Sequence, residues 1–330
     1  MNSKKVMLIT GATSGIGKAL ADFYYKKNYR LVLTGSSQEK INKLSKKFKK
    51  NTLLVQADLT KSEDIKKIVN ETINKFKKID ILVANAGMYE PDKIISGNPE
   101  RWERVIKVNV TSVFRLVNLI LPYMKKNNFG DIAITSSISG HQAIYWEPVY
   151  SASKHAIQSF AHGLRTQVSK YNIRVITIAP GVVLTELWGI NPERDKDKIN
   201  HLVKKGTALR TKDVVDCFDF ALSRERGTTI RDLVVLPTNQ DIWDYHSLNK
   251  KILALTKILS FKIVVLLQPP VPILYSFREN LNLEVIWTKL LLSLLIFKLI
   301  GIFALLPLIV NSTLNNISIK RIRNEILWRT

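Results

Sequence analysis

The chain has 330 residues, 46% apolar and 23% charged, with 50 Lys and Arg against 27 Asp and Glu, for a formal net charge of +23. That balance suits a folded globular protein and excludes a disordered or low-complexity chain. A single cysteine, Cys217, rules out a disulfide framework and a cysteine-cluster metal site.

Short apolar runs alternate with amphipathic stretches through the first 240 residues. The runs at 6–9, 30–33, 52–56, 79–84, 131–136, 173–179 and 233–236 read as strands. Most are continuously hydrophobic, the pattern of strands covered by helices on both faces. Between them, 17–27, 38–49, 62–77, 100–126, 152–171 and 212–223 carry helical periodicity. Strand and helix alternating at this spacing predict an α/β fold of Rossmann type, a doubly wound parallel seven-stranded sheet with right-handed crossovers.

Beyond residue 240 the composition changes. Residues 241–330 hold 11 basic and 5 acidic residues set among long apolar runs. The run at 252–267 carries Lys257 and Lys262 and looks interfacial; Pro269, Pro270 and Pro272 then stop any helix. Residues 290–310 have one charge, Lys298, and suffice to cross a hydrocarbon core of about 30 Å. The expectation is a 1–240 body followed by a hydrophobic, membrane-associated helical tail at 241–330. Lys320, Arg321 and Arg323 favour a cytoplasmic C-terminus. Only four apolar residues lie near the start, too few for a secretory signal, so the body is expected to face the cytoplasm. The positive charge is spread along helix faces, as in Lys43, Lys46, Lys47, Lys49 and Lys50, and no nucleic-acid motif accompanies it. It reads as solvated surface rather than a nucleic-acid footprint.

Two segments carry chemistry. Residues 10–17, TGATSGIG, follow the first strand and open the first helix. Small residues there let the backbone approach a pyrophosphate, and the helix N-terminus supplies free N–H groups and the positive end of its dipole. Tyr150 and Lys154 stand four residues apart on one helix face. An ammonium close to a phenol favours the phenolate and lowers its pKa from about 10, which makes Tyr150 a candidate general acid/base. The five histidines, His141, His155, His162, His201 and His246, share no metal-ligand spacing, and no metal is expected. Cofactor choice turns on the end of the second strand, where residues 33–37 read LTGSS with no carboxylate before Glu39. Without an acid to bind a ribose 2′-hydroxyl, the site favours NADP over NAD, with Ser36, Ser37 and Lys40 placed for a 2′-phosphate.

Taken in order, TGATSGIG at 10–17, Asp58 in ADL, NAG at 85–87, Asn109 in VNV, SS at 136–137, YSASK at 150–154 and PGVVLT at 180–185 resemble the short-chain dehydrogenase/reductase family over roughly residues 4–240. The resemblance implies that Ser137 hydrogen-bonds a substrate oxygen and that Tyr150 exchanges a proton with it. It implies that Lys154 binds the nicotinamide ribose and lowers the Tyr150 pKa, and that Asn109 holds a water linking Lys154 to solvent. Gly11, Ser14, Gly15, Ile16 and Gly17 would surround the pyrophosphate, and Asp58 would contact the adenine. Asn85, Ala86 and Gly87 would line the cofactor cleft, while Pro180, Gly181, Val183 and Thr185 would fix the nicotinamide end. His141 and Trp146 fall where the family places part of its substrate wall, and Trp188 with the charged 191–205 segment where it carries a mobile loop.

The implied activity is hydride transfer between NADP(H) and a carbonyl or alcohol. The tail points to a hydrophobic or lipid-like substrate, as in ketosphinganine reductases. Residues 231–240, RDLVVLPTNQ, look more like the ending of soluble NADP-dependent hydroxy-acid and carbonyl reductases. A cofactor-binding scaffold without turnover is the rival class, and the intact Ser137, Tyr150 and Lys154 set speaks against it. Homodimers or homotetramers built on the 100–126 and 152–171 helices are implied by the family alone.

Overall fold

The structure, a computed structural model, describes residues 4–92 and 94–240. The expected tail at 241–330, with its apolar runs, lies outside the described residues. Seven strands form one sheet: β1 Val6–Ile9, β2 Arg30–Gly35, β3 Thr52–Gln56, β4 Ile81–Ala84, β5 Gly130–Thr135, β6 Ile173–Pro180 and β7 Asp232–Val235. Their order is β3-β2-β1-β4-β5-β6-β7, and every pairing is parallel. The helices are α1 Gly15–Lys26, α2 Gln38–Lys47, α3 Ser62–Phe76, α4 Pro99–Ile106, α5 Ser112–Lys126, α6 Pro148–Val168, α7 Lys196–Lys204 and α8 Thr211–Leu222.

The continuous hydrophobic strands follow from burial on both faces. Side chains alternate across a strand, so Val6 and Leu8 of β1 join Ile68, Val117, Ile120 and Leu164 from α3, α5 and α6. Met7 and Ile9 point the other way, into a second core with Leu20 and Tyr24 of α1 and Phe218 of α8. Each such side chain, fully buried, contributes about 1.5–3 kcal/mol. At the N-terminal ends of β5 and β6, Arg174 grips the fully buried Asp131 through two hydrogen bonds of 2.7 and 3.1 Å. Arg226 adds a third contact to Asp131 at 2.6 Å.

Two boundaries differ from the sequence reading in ways that matter for the site. The helix expected over 100–126 is divided by a π-helical turn, Lys107–Thr111, between α4 and α5, and Asn109 sits at its middle. Asn98 and Pro99 start α4: the Asn98 side chain accepts from the Arg101 N–H at 3.1 Å, and proline suits the first helical position. Helix α6 begins at Pro148 rather than 152, for the same reason, so Tyr150 lies in its first turn. Helix α7, in the charged 191–205 segment, fully buries none of its residues and carries only a short apolar stripe, Ile199, Leu202 and Val203, among charged positions.

Candidate active site

Strands β1 and β4 are neighbours, but the chain leaves them toward opposite edges of the sheet. A crevice must open outside their C-terminal ends, and a cleft of about 460 Å³ lies there. Gly11, Ser14, Gly15 and Ile16 line it, at the N-terminus of α1. Gly11 has φ +64°, and a Cβ there would stand 2.9 Å from the Ala86 Cα, so only glycine lets the loop pack this closely on 85–87. Gly17, expected at the pyrophosphate, instead packs beneath the loop: its Cβ position is 2.2 Å from the Gly11 carbonyl oxygen and 2.6 Å from Asn85 Nδ2. These close approaches form a cradle any larger residue would fill, and the cradle fits a dinucleotide pyrophosphate. Glu186 already uses part of it, its Oε2 accepting from the Gly15 N–H at 3.0 Å.

Asn85 holds the strand ends in register. Its Nδ2 donates to the Thr10 carbonyl at 3.1 Å, and its Oδ1 accepts from the Thr135 hydroxyl at 3.1 Å. The N–H groups of Asn85 and Ala86 both donate to Thr10 Oγ1, at 3.0 Å each. Ala86 and Gly87 then run along the cleft, as do Pro180, Gly181, Val183 and Thr185 from the end of β6 onward.

Ser137, Tyr150 and Lys154 converge on this cleft from the end of β5 and the first turns of α6. The Ser137 hydroxyl is within hydrogen-bonding reach of the Tyr150 phenol. The neighbouring Ser136 also borders the cleft, but its hydroxyl accepts from Gln158 Nε2 at 3.1 Å. Lys154 Nζ stands 5.6 Å from the Tyr150 ring centroid and donates to the Thr135 carbonyl at 3.0 Å. The expected acidity tuning is not what this geometry gives. Burial pushes the Tyr150 phenol well above its usual range, with Ser137 only partly offsetting it. Burial also pulls the Lys154 ammonium down to about 8. Desolvation disfavours both charged forms.

Asn109 is committed elsewhere. Its Oδ1 accepts from the Met88 N–H at 2.7 Å, and its Nδ2 donates to the Met88 carbonyl at 2.9 Å and to Ser153 Oγ at 3.1 Å. The side chain therefore clamps the segment after β4 onto α6. Asp58 borders the cleft, but its Oδ1 accepts from the Thr60 N–H at 3.0 Å and the Thr60 hydroxyl at 2.9 Å, a turn that leads into α3. At the ribose end, Ser36, Ser37 and Lys40 line the cleft, whereas Glu39 pairs with Lys43 at 2.7 Å. Arg104 of α4 lines the same end, a base the sequence pattern did not single out.

The far end was less legible. His141 lies outside the cleft, its Nε2 3.2 Å from Asp232 Oδ2. Trp146 does line it, and Trp188 packs on Tyr89 with ring centroids 4.6 Å apart. Tyr89 meets the Tyr150 ring edge-on at 5.0 Å. Tyr89, Ser139 and Glu147 went unnoticed in the sequence, since none belongs to a motif.

Over residues 5–196 the sequence matches the family model described as short chain dehydrogenase. An uncharacterized oxidoreductase of Staphylococcus saprophyticus is 32% identical, the match covering 71% of this chain and 97% of the relative. An NADP-dependent 3-hydroxy acid dehydrogenase of Schizosaccharomyces pombe is 31% identical, over 72% of this chain and 93% of the relative. Among solved structures, a closed serine dehydrogenase complexed with NADP+ superposes with a TM-score of 0.65 at 26% identity, covering 72% of this chain and 96% of the other. An L-sorbose reductase from Gluconobacter frateurii complexed with NADPH and L-sorbose gives 0.64 at 28%, over 72% and 97%. The chain therefore belongs to the short-chain dehydrogenase family and is, with it, an NAD(P)-dependent oxidoreductase acting on a small molecule.

Proposed function

We propose that the protein reduces a ketone or aldehyde on a hydrophobic small molecule, using NADPH, with Tyr150 delivering the proton. The observation that carries this reading is the convergence of Ser137, Tyr150 and Lys154 at one end of the glycine-loop cleft. When bound, a reduced nicotinamide supplies the hydride. The loop residues Gly11, Ser14, Gly15 and Ile16 would hold its pyrophosphate, and Lys154 its ribose. Residues Pro180, Gly181, Val183 and Thr185 orient the ring end. Ser137 donates to the carbonyl oxygen, and Tyr150 Oη transfers its proton to the same atom as negative charge develops there.

The reductive direction is supported by the phenol itself. A tyrosine pushed upward by burial keeps its proton at neutral pH and gives it up only to a strongly basic oxygen, such as the alkoxide that develops on a carbonyl receiving hydride. NADP is supported by the ribose end, where Lys40 and Arg104 line the cleft and Glu39 is engaged with Lys43. A hydrophobic substrate is supported by the cleft mouth, where Trp146, Leu187 and Trp188 are exposed. The tail sequence adds a membrane surface as the place of work, with the catalytic body on the cytoplasmic side. Its test is sedimentation of the full-length protein with membranes.

The deciding assay offers the full-length protein a panel of keto-lipids and simple carbonyl compounds with NADPH and with NADH. Tyr150→Phe should lose turnover by about 10²–10⁴-fold while keeping NADPH affinity. A wild type that binds NADPH yet turns over no carbonyl compound would return the protein to the class of scaffolds.

A further inference from the structure

The substrate end of the cleft contains one carboxyl group that no step above uses. Glu147, immediately before α6, is only 3% exposed and borders the cleft. Its Oε1 accepts from the Ser139 hydroxyl at 2.6 Å, and the Tyr89 hydroxyl is within hydrogen-bonding reach of the same carboxylate. Ser139 in turn lies 3.2 Å from Ser137 Oγ, which reaches Tyr150. A polar chain thus runs from Glu147 to the proton donor. Among the described residues no Lys, Arg or His stands within 4.0 Å of the Glu147 carboxylate. The partners are neutral hydroxyl groups and the surroundings are aromatic, from Tyr89, Trp146 and Trp188.

A buried carboxylate without a counter-charge acts on whatever enters beside it. The other charged groups at this end are Lys154, held by the Thr135 carbonyl, and Glu186, at the Gly15 N–H. Neither neutralises Glu147. A second carboxylate brought alongside meets like charge where water screens poorly, whereas a neutral carbonyl compound does not, and an ammonium is attracted both to the carboxylate and to the aromatic faces.

We propose that Glu147 is a charge filter that turns this site against carboxylate-bearing substrates and toward neutral or amine-bearing carbonyl compounds. The inference rests on the oxidoreductase reading and names the substrate class within it. Burial raises the Glu147 pKa, and the neighbours that titrate, Tyr89 and Tyr150, are themselves pushed upward and stay neutral. The filter therefore strengthens as pH rises and Glu147 ionises.

The test uses matched pairs: 3-oxo acids of four to ten carbons and their methyl esters, with the full-length wild type and Glu147→Gln, and NADPH as reductant. The wild type should favour each ester over its acid by about tenfold or more in kcat/KM, increasingly as pH rises. Glu147→Gln should raise acid turnover relative to ester turnover and so reduce that ratio by about tenfold. Calorimetric titration of the corresponding 3-hydroxy acids and esters into the NADP+ complex should show the same shift in Kd. A substitution that merely loosens the fold lowers acid and ester together, and that result overturns the filter. So does an acid-to-ester ratio in the wild type near one and indifferent to pH, which leaves the oxidoreductase reading standing. Absence of turnover on every pair with NADPH and with NADH, despite cofactor binding, sinks the oxidoreductase reading itself and the filter with it.

Discussion

Lys154 offers a quantitative handle on the site because its ammonium is almost fully buried, at 5% exposure, with one hydrogen bond to compensate. Its pKa falls from 10.5 to about 8, a cost of about 3 kcal/mol for keeping it charged in the folded protein. The sign follows from proton counting. Between pH 8 and 10.5 the unfolded chain holds the Lys154 proton and the folded one does not, so this residue makes stability rise with pH. From pH 7.5 to 10 the recovered stability is about 2 kcal/mol. Replacing Lys154 by Met removes the titration, leaving the Thr135 carbonyl unpaired at a cost of about 1 kcal/mol. Urea denaturation of wild type and Lys154→Met at half-unit pH steps should give two stability curves that approach or cross as pH climbs. Reductase activity of the wild type should fall above about pH 8 over the same window, as the ribose-binding charge is lost. A constant stability difference from pH 7.5 to 10 would refute the argument that burial sets the charge of this lysine.

Other consequences are checked more simply. Glu186→Gln should tighten NADPH binding, read by fluorescence titration, because the carboxylate competes with the pyrophosphate for the Gly15 N–H; the gain should be a few-fold, since the residue is exposed and charge is screened there. Lys40→Ala should weaken NADPH several-fold more than NADH, and equal losses would remove Lys40 from 2′-phosphate recognition. Asp131→Ala strands Arg174 in the core and should cost about 3–5 kcal/mol of unfolding free energy. Urea titration checks that value, and NADPH binding to the surviving folded fraction should be unchanged, since Asp131 lies at the opposite ends of the strands from the cleft.

The sheet was legible in the sequence because parallel strands buried on both faces leave uninterrupted apolar runs, and four-residue runs such as 6–9 have little room for error. The glycine loop was legible because strand, small residues and helix fall in immediate succession. What escaped had no periodic or motif signal. The π-turn at Lys107–Thr111 does not change the apolar spacing enough to show, yet it places Asn109 against Met88 and Ser153. Spacing alone also suggested that Lys154 would acidify Tyr150. Only burial, which depends on residues far apart in sequence, reveals that desolvation pushes the phenol upward. Glu147 was invisible for a similar reason: its partners Ser139 and Tyr89 are 8 and 58 positions away and meet it only in the folded chain.

These shifts share one direction. Phenol, ammonium and carboxyl group at the site are all driven toward their neutral forms by the same desolvation. A site tuned in this way holds a proton on Tyr150 and spends little of it on the resting protein, so proton transfer becomes favourable only when negative charge grows on a nearby oxygen. Hydride arriving at a carbonyl creates that charge within reach of Ser137 and Tyr150, whereas an alcohol offers no such charge until its own proton has left. The burial that keeps Tyr150 protonated leaves almost no phenolate to accept an alcohol's proton, and is therefore the physical reason to expect reduction to outrun oxidation at neutral pH. Forward and reverse kcat values, measured on one ketone–alcohol pair between pH 6 and 9, should differ most at the acid end, where Lys154 carries its proton and Tyr150 stays protonated.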